Sequence, residues 1–290
     1  MTIFTNKQNA SIQGAREIPL LLDRDLVIVD IGCRWGFADK FLKNDNRIRI
    51  YGFDPDAEEC ERLSKVYAGQ NVTLVPLGLA ETPGKRILYI TKEPACSSLY
   101  KPDPCLTETY PILACAQEVS ACEIETTTLD LWANESNVCS IDYLKIDTQG
   151  SELNILKGAK SILKTVRALE VEVEFNPIYI DQPLFSDVDI FLRNEGFVLL
   201  KFTNQVHYSD QGENCFVVNR DTVHYDSVAV QHETHGGQLY WADAHYVRKE
   251  MLQNNYDDLN QVVRDVALMR AVGFMDIANR ILSLVKHWEN

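Results

Sequence analysis

The chain has 290 residues, of which 46% are hydrophobic and 24% charged, and its formal net charge is −14. That length and composition suit one soluble globular α/β domain with extensions, or two small domains. The acidic balance argues against nucleic acid and against an anionic membrane surface as main partners, and no apolar run reaches the length of a membrane span. Eight cysteines are scattered at 33, 60, 96, 105, 115, 122, 139 and 215 with no Cys-x-x-Cys pair, which speaks against a zinc ribbon or a redox motif. Residues 1–16 are polar and lack the apolar core of a signal peptide, so a cytoplasmic protein with reduced thiols is expected.

In chain order, residues 1–24 read as an N-terminal extension in which Ile18, Leu20, Leu21 and Leu22 suit a packing segment. Leu26–Ile31 is a short, β-branched, apolar run and predicts a strand buried on both faces. It breaks at Gly32-Cys33-Arg34-Trp35-Gly36, and a helix is predicted from about 37 to 42. Strand, glycine turn, helix is the arrangement that brings backbone close to a nucleotide-like ligand. The Gly-x-x-x-Gly spacing lacks the triple-glycine form that a pyrophosphate needs. A nucleoside ligand without phosphate, such as S-adenosylmethionine, needs only close approach of the backbone. Asp30, Gly32, Cys33, Arg34 and Gly36 are the candidate contacts, and a turn used for packing alone is the alternative.

A second strand over 47–53 ends in Phe53-Asp54-Pro55-Asp56. A carboxylate at Asp54, on the carboxyl end of this strand, can accept both ribose hydroxyls. Alternatively Asp54 caps the next helix, with Pro55 as its first residue and Asp56, Glu58 and Glu59 set against the dipole. Phe53 and Pro55, and Gly78 and Leu79 after a third strand over 72–76, complete the candidate cofactor contacts. A strand is predicted over 86–90. Residues 91–125 hold four prolines, four cysteines and Ser97-Ser98 with little periodicity. They read as a long loop, either a lid on the substrate side or a structural excursion. As a lid, Ser97 and Ser98 would hydrogen-bond substrate hydroxyls.

Residues 142–146 predict a strand with Asp147 at its carboxyl end. The following helix carries Leu153, Leu156, Ala159, Ile162 and Leu163 as one apolar stripe. Asp30, Asp54 and Asp147 would then share one sheet edge, a repulsive arrangement that a cation such as a sulfonium relieves. In 168–175, Leu169, Val171, Val173 and Phe175 alternate with Glu170, Glu172 and Glu174. Bare buried carboxylates are costly, so either that face is solvated or one of Glu172 and Glu174 reaches the cleft. A helix over 186–194 stops at Gly196, and strands over 197–202 and 215–219 suit a hairpin-like edge. The whole predicts an α/β fold, a doubly wound and mostly parallel seven-stranded sheet over 25–222. A C-terminal segment, 223–290, follows, with two helices in 257–288 around Gly273 that pack on the core or make a homodimer. His224, His232, His235 and His245 form only a weak zinc pattern.

Val29-Asp-Ile-Gly-Cys-Arg-Trp-Gly36, Phe53-Asp-Pro-Asp56, Thr127-Thr-Leu-Asp130 and Leu144-Lys-Ile-Asp-Thr-Gln-Gly-Ser-Glu-Leu153 together resemble the FkbM family of S-adenosylmethionine-dependent methyltransferases. Glu172-Val-Glu-Phe175, Tyr179 and Gln182-Pro183 are similar to a subfamily pattern, and the resemblance covers about residues 26–250. It implies a Rossmann-like class I methyltransferase fold, S-adenosylmethionine as cofactor, and O-methylation of a small-molecule hydroxyl on a sugar or polyketide-like compound. Removing the hydroxyl proton then calls for a carboxylate base, for which Asp147, Glu172 and Glu174 are candidates. A divalent metal on Asp147, Glu172 or Glu174, and Asn176 is a second route, though no metal site is assigned. Ser97, Ser98, Gln149, Glu152 and Tyr179 are candidate acceptor contacts. Trp241 and Asp243, at positions similar to those of the family, either close the acceptor site or belong to a packing segment with a capping Asp. A nicotinamide-dependent oxidoreductase and a non-catalytic binding protein on the same fold are the alternatives.

Overall fold

Leu26–Ile31 forms strand β1 at the centre of a seven-stranded sheet. The computed structural model describes residues 22–42, 47–208, 218–225, 228–253, 256 and 258–285. After β1 come β2 (Ile48–Phe53), β3 (Val72–Val75), β4 (Gly78–Leu79), β5 (Gly84–Thr91), β6 (Glu118–Thr127), β7 (Tyr143–Ile146) and β8 (Ala168–Glu174). The later strands are β9 (Phe197–Tyr208), β10 (Val218–Tyr225), β11 (Val228–His235) and β12 (Gln238–Arg248). The helices are α1 (Asp39–Leu42), α2 (Ala57–Val66), α3 (Pro104–Thr109), α4 (Leu129–Glu135), α5 (Glu152–Lys157), α6 (Phe185–Asn194), α7 (Lys249–Gln253), α8 (Leu259–Val272) and α9 (Met275–Val285).

The main sheet has the order β3-β2-β1-β7-β8-β12-β9. β1 pairs in parallel with β2 and β7, and β7 in parallel with β8, while β12 runs antiparallel to both β8 and β9. The chain therefore leaves β1 toward β2 and β3, then returns to build outward from β7. This is a doubly wound, mostly parallel, Rossmann-like arrangement with one reversed strand near the edge. Residues 1–21 of the expected N-terminal extension lie outside the described residues.

Alternation along β1 assigns its side chains to two cores. Val29 and Ile31 pack with Leu144, Ile146, Leu169 and Val171 against residues of α4, α5 and α6. Leu26 and Ile28 pack on the other face with Ile50, Tyr143, Val262, Val266, Met269 and Ile281. The C-terminal helices α8 and α9 thus turn their apolar faces onto their own chain. Leu259 and Met275 are the large apolar side chains of this pair that stay exposed among the described residues. Gly273 ends α8 in the left-handed conformation, the usual glycine stop.

Three sequence expectations are corrected. Residues 91–125 are not one long loop: 118–127 forms β6, which joins β4 and β5 in a three-stranded sheet. Along β6 nearly every side chain up to Ile124 is exposed, so no apolar face marks it as a strand. β9 pairs with β12, not with 215–219, whose residues 215–217 lie outside the described residues. Val218–Tyr225 instead pairs with Val228–His235 as a separate hairpin, and the main sheet draws a strand from beyond residue 222. Finally, α5 stops at Lys157, and the Ile162 and Leu163 end of its expected stripe sits in a separate short turn at 162–165.

The C-terminal pair is fastened by a buried ion pair. Arg167, just before β8, donates to Asp265 of α8 from Nε and Nη2 at 2.7–3.2 Å. Tyr256 Oη and Gln261 Nε2 complete the carboxylate at 2.8 and 2.7 Å. Replacing Asp265 strands the guanidinium and two further donors. Asp265→Ala is expected to cost about 3–5 kcal/mol of stability, read as a fall in the urea midpoint at unchanged slope. A loss below about 1 kcal/mol would show that α8 is held by its apolar face alone.

Candidate active site

A cavity of about 560 Å³ opens at the carboxyl edge of the sheet, beside the point where the winding reverses between β1 and β7. Both its place and its size suit a small-molecule ligand. Of the residues expected from the sequence, Gly32, Arg34, Phe53, Asp54, Pro55, Gly78, Leu79, Ser97, Ser98, Asp147, Gln149, Glu172, Tyr179 and Trp241 line it. Asp30, Cys33, Gly36, Glu152, Glu174 and Asp243 do not.

The glycine turn explains part of that division. Gly32 has φ +87°, and a Cβ on it would lie 1.8 Å from the Asp147 carbonyl oxygen, so β1 and β7 close on each other only through glycine. The Gly32 and Cys33 N–H groups both donate to the Phe53 carbonyl at 2.9 and 3.1 Å, Gly36 N–H to the Cys33 carbonyl, and Phe37 N–H to Tyr67 Oη. These donors are spent within the chain, so they are not available to a phosphate. The Cys33 side chain turns into the core, where burial pushes its thiol far up. Gly36 is pinned beneath the Tyr67 hydroxyl.

Asp54 ends β2 with 5% of its surface exposed and lines the cavity. It does not cap α2. That role belongs to Asp56, whose Oδ1 accepts from the Glu58 and Glu59 N–H groups at 3.0 and 3.2 Å. Asp54 Oδ1 accepts from Asp56 N–H at 2.8 Å. Burial raises its carboxyl, while that hydrogen bond and Arg34, 4.0 Å away, pull it down.

Of the three edge aspartates, Asp30 and Asp147 meet at a lysine of the chain itself, while Asp54 stands with Arg34. Lys145 Nζ stands 3.6 Å from Asp30 and 3.4 Å from Asp147. Burial lifts the Asp30 carboxyl to about 6 against the pull of Lys145. Sequence reasoning missed Lys145, although its place two residues before Asp147 in a strand puts both on one face.

Behind Asp147 lies a second acidic group. Gln149 Nε2 donates to Asp147 Oδ1 at 3.1 Å and to Glu172 Oε2 at 2.6 Å, and Tyr179 Oη donates to Gln149 Oε1 at 3.1 Å. Gln149 itself is left-handed, φ +59°. Glu152 accepts from Thr148 N–H, Thr148 Oγ1 and Gly150 N–H at 2.7, 3.0 and 3.2 Å, so it shapes the loop from behind, and burial raises it to about 7. Of the two alternatives for β8, the solvated face does not hold at Glu172 and Glu174: both are buried, and burial drives both carboxyls well above their ordinary range. Only Glu172 reaches the cavity.

The opposite wall comes from residues not singled out in the sequence: Leu88 and Ile90 of β5, Ile124 of β6, Leu113, Ile178 and Tyr208. Ser98 Oγ is committed to the Gln149 carbonyl at 2.6 Å, and Ser97 Oγ accepts from Thr91 N–H. Trp241 joins this wall with its indole N–H on Tyr208 Oη at 3.1 Å, whereas Asp243 is held by Asn204 at 2.6 Å and burial lifts it to about 6. Asn176 Nδ2 is engaged by the Leu239 carbonyl. Among the described residues, no group of three His, Cys, Asp or Glu side chains is arranged to hold a metal ion. His245 pairs with Thr203, and the side chains of His224, His232 and His235 lie outside the described ones. Among the described residues no helix is long and apolar enough to cross a membrane.

Fold and site together define a Rossmann-like enzyme that binds a nucleoside cofactor without relying on phosphate. Residues 30–199, more than half of the chain, match the family described as the methyltransferase FkbM domain, and the chain belongs to that family of S-adenosylmethionine-dependent methyltransferases. A search of curated proteins finds no match. Among solved structures, the precorrin-6Y C5,15-methyltransferase of Geobacter metallireducens is similar at 11% identity and TM-score 0.37, over 79% of this chain and 84% of that one. Magnesium protoporphyrin IX methyltransferase of Synechocystis, with bound cofactor, is similar at 11% identity and TM-score 0.37, over 78% and 71%. TrmK of M. capricolum, with S-adenosyl-homocysteine, is similar at 10% identity and TM-score 0.35, over 92% of each chain.

The residues present fit S-adenosylmethionine. Asp54 offers a buried carboxylate in the cavity wall, and Ile31, Phe53, Leu77 and Leu79 are apolar surfaces for a base. Asp54→Ala is expected to weaken S-adenosylhomocysteine binding at least tenfold by calorimetry, with an unchanged circular dichroism spectrum. Unchanged affinity would remove Asp54 from the ribose site.

Proposed function

We propose that the chain methylates a hydroxyl of a small molecule with an apolar or aromatic body, and that Glu172 is the general base. The position of Glu172 carries this reading: it is the one buried carboxylate of β8 that lines the cavity, and Gln149 orients it. Burial raises its carboxyl, and the neighbouring Asp147 and Glu174 add to the rise, which brings its proton affinity closer to that of a hydroxyl under attack. When bound, S-adenosylmethionine supplies a methyl group already activated on sulfur. The chain then has three tasks: to align the acceptor oxygen, to exclude water, and to receive the proton at the Glu172 carboxylate.

The wall of Leu88, Ile90, Leu113, Ile124, Ile178 and Trp241 supports an apolar body over a bare sugar. Sugar hydroxyls against that wall would exchange water for no partner. The net charge of −14 supports a small-molecule acceptor over nucleic acid. The free thiols of the seven described cysteines support a place in the reducing cytoplasm.

Glu172→Gln tests the base. With an acceptor found among phenols and hydroxylated ring compounds, kcat is expected to fall about 10²–10⁴-fold while S-adenosylhomocysteine affinity holds within twofold. A base acts deprotonated, so wild-type kcat should rise with pH through a limb well above the ordinary carboxylate range. The variant should lose that limb. A limb that persists in the variant assigns the proton to another group.

A further inference from the structure

We propose that Cys96 and Cys115 form a modification site, a dithiol in the cavity wall that a hydroperoxide converts to a disulfide. Their sulfurs lie 3.9 Å apart. They come from two short turns, Pro94–Cys96 and Pro111–Ala116. Those turns are already tied by their backbones: Lys92 N–H donates to the Gln117 carbonyl at 3.0 Å and Glu93 N–H to the Cys115 carbonyl at 2.9 Å. A disulfide needs a sulfur separation of about 2.05 Å, and with the turns held side by side the remaining approach falls to side-chain rotation.

Access is built in. Both residues line the cavity and both are partly exposed, so a small oxidant reaches them without opening the fold. Cys33 and Cys60, by contrast, are buried. Burial and the neighbouring Cys115 thiol push Cys96 up to about 12; either thiol can take the first step, and the crosslink is the same.

The chemistry balances with one hydroperoxide. With Cys115 first, its thiolate attacks the O–O bond: an S–O bond forms, the O–O bond breaks, and the leaving oxygen takes a proton and departs as water or an alcohol. Cys96 then attacks the Cys115 sulfenic acid: the S–S bond forms, the S–O bond breaks, and the Cys96 proton leaves with hydroxide as water. Two thiols lose two electrons, and the hydroperoxide gains them.

The crosslink sits beside the chemistry. The Cys96 carbonyl lies 2.7 Å from Tyr179 Oη, and Tyr179 meets the Gln149 amide that holds Glu172. Regulation of methyl transfer through this contact rests on the proposed role of Glu172; the crosslink itself does not.

The test uses the full chain and hydrogen peroxide, followed by digestion with a glutamyl endopeptidase under non-reducing conditions. The expected product joins the peptide over 82–108, which carries Cys96 and Cys105, to the peptide over 109–118, which carries Cys115. Its mass is 2 Da below the sum, on the order expected for one disulfide, and dithiothreitol reverses it. Cys105→Ser keeps the crosslink and Cys96→Ser abolishes it. Sulfinic acid at Cys115 without the crosslink, or a crosslink that survives Cys96→Ser, would overturn the proposal. No methyl acceptor enters this readout, so an error in the proposed reaction leaves its outcome unaffected.

Discussion

The carboxyl edge of this sheet holds together because one ammonium stands where several carboxylates meet. Lys145 faces Asp30 across the β1–β7 pairing and Glu170 across the β7–β8 pairing, and it reaches Asp147 two residues along its own strand. Burial works against the lysine's charge, but the surrounding carboxylates together outweigh it and raise its affinity for its proton. A buried ion pair adds little net stability over an apolar substitute, but removing one partner leaves a bare charge. Its use here is positional. It lets the sheet end in acids at the switch point, where a ligand approaches, without the strand ends repelling each other.

That edge is one side of a two-sided chamber. The sheet side carries the charged groups Arg34, Asp54, Asp147 and Glu172. The small sheet of β4, β5 and β6, with the two turns that follow β5, supplies the other side with aliphatic surface, to which Tyr208 of β9 and Trp241 of β12 add aromatic rings. Polar groups fix orientation and the apolar wall expels water, so each strengthens the other: a charge facing a dry wall interacts more strongly than one facing solvent.

Much of the sheet side was legible in the sequence, because it follows from local rules. A strand ending in aspartate before a glycine turn or a helix places that aspartate at the carboxyl edge, and Asp54 and Asp147 obey this. The alternation of 168–174 put Glu172 and Glu174 on one face, but it did not say whether that face is solvated or which of the two meets the cavity. That depends on where the strand ends relative to Gln149. Membership in a motif was a poorer guide. Cys33 and Gly36 belong to the turn yet face the core and Tyr67, because spacing along a chain does not say to which side a residue points. β6 escaped because its side chains are mostly exposed and polar. β12 escaped because its partners, β8 and β9, are fixed by pairing across a long separation, which no local pattern encodes. Ser98 looked like a substrate donor for want of knowledge that the Gln149 carbonyl takes its hydroxyl hydrogen, whereas Ser97 accepts from Thr91 N–H and keeps its own.

Gln149 shows why the loop after β7 takes a conformation that its residue disfavours. A left-handed backbone at a non-glycine residue costs about 1–3 kcal/mol, and Gly150 follows it at φ +101°. Glu152 holds the loop in that shape by accepting from Thr148 and Gly150. In return the Gln149 side chain lies among three groups at once. Its two amide hydrogens, on a single nitrogen, go to Asp147 and Glu172, and its oxygen faces the Tyr179 hydroxyl, whose one hydrogen it shares with the nearer Cys96 carbonyl. A carboxylate at this position would offer no donor to either acid and would add a third negative charge. An ammonium would offer donors but no acceptor for the phenol. An amide meets all three demands without bringing charge, so the same atom that steadies the acid beside the glycine turn also aims the acid that faces the apolar wall.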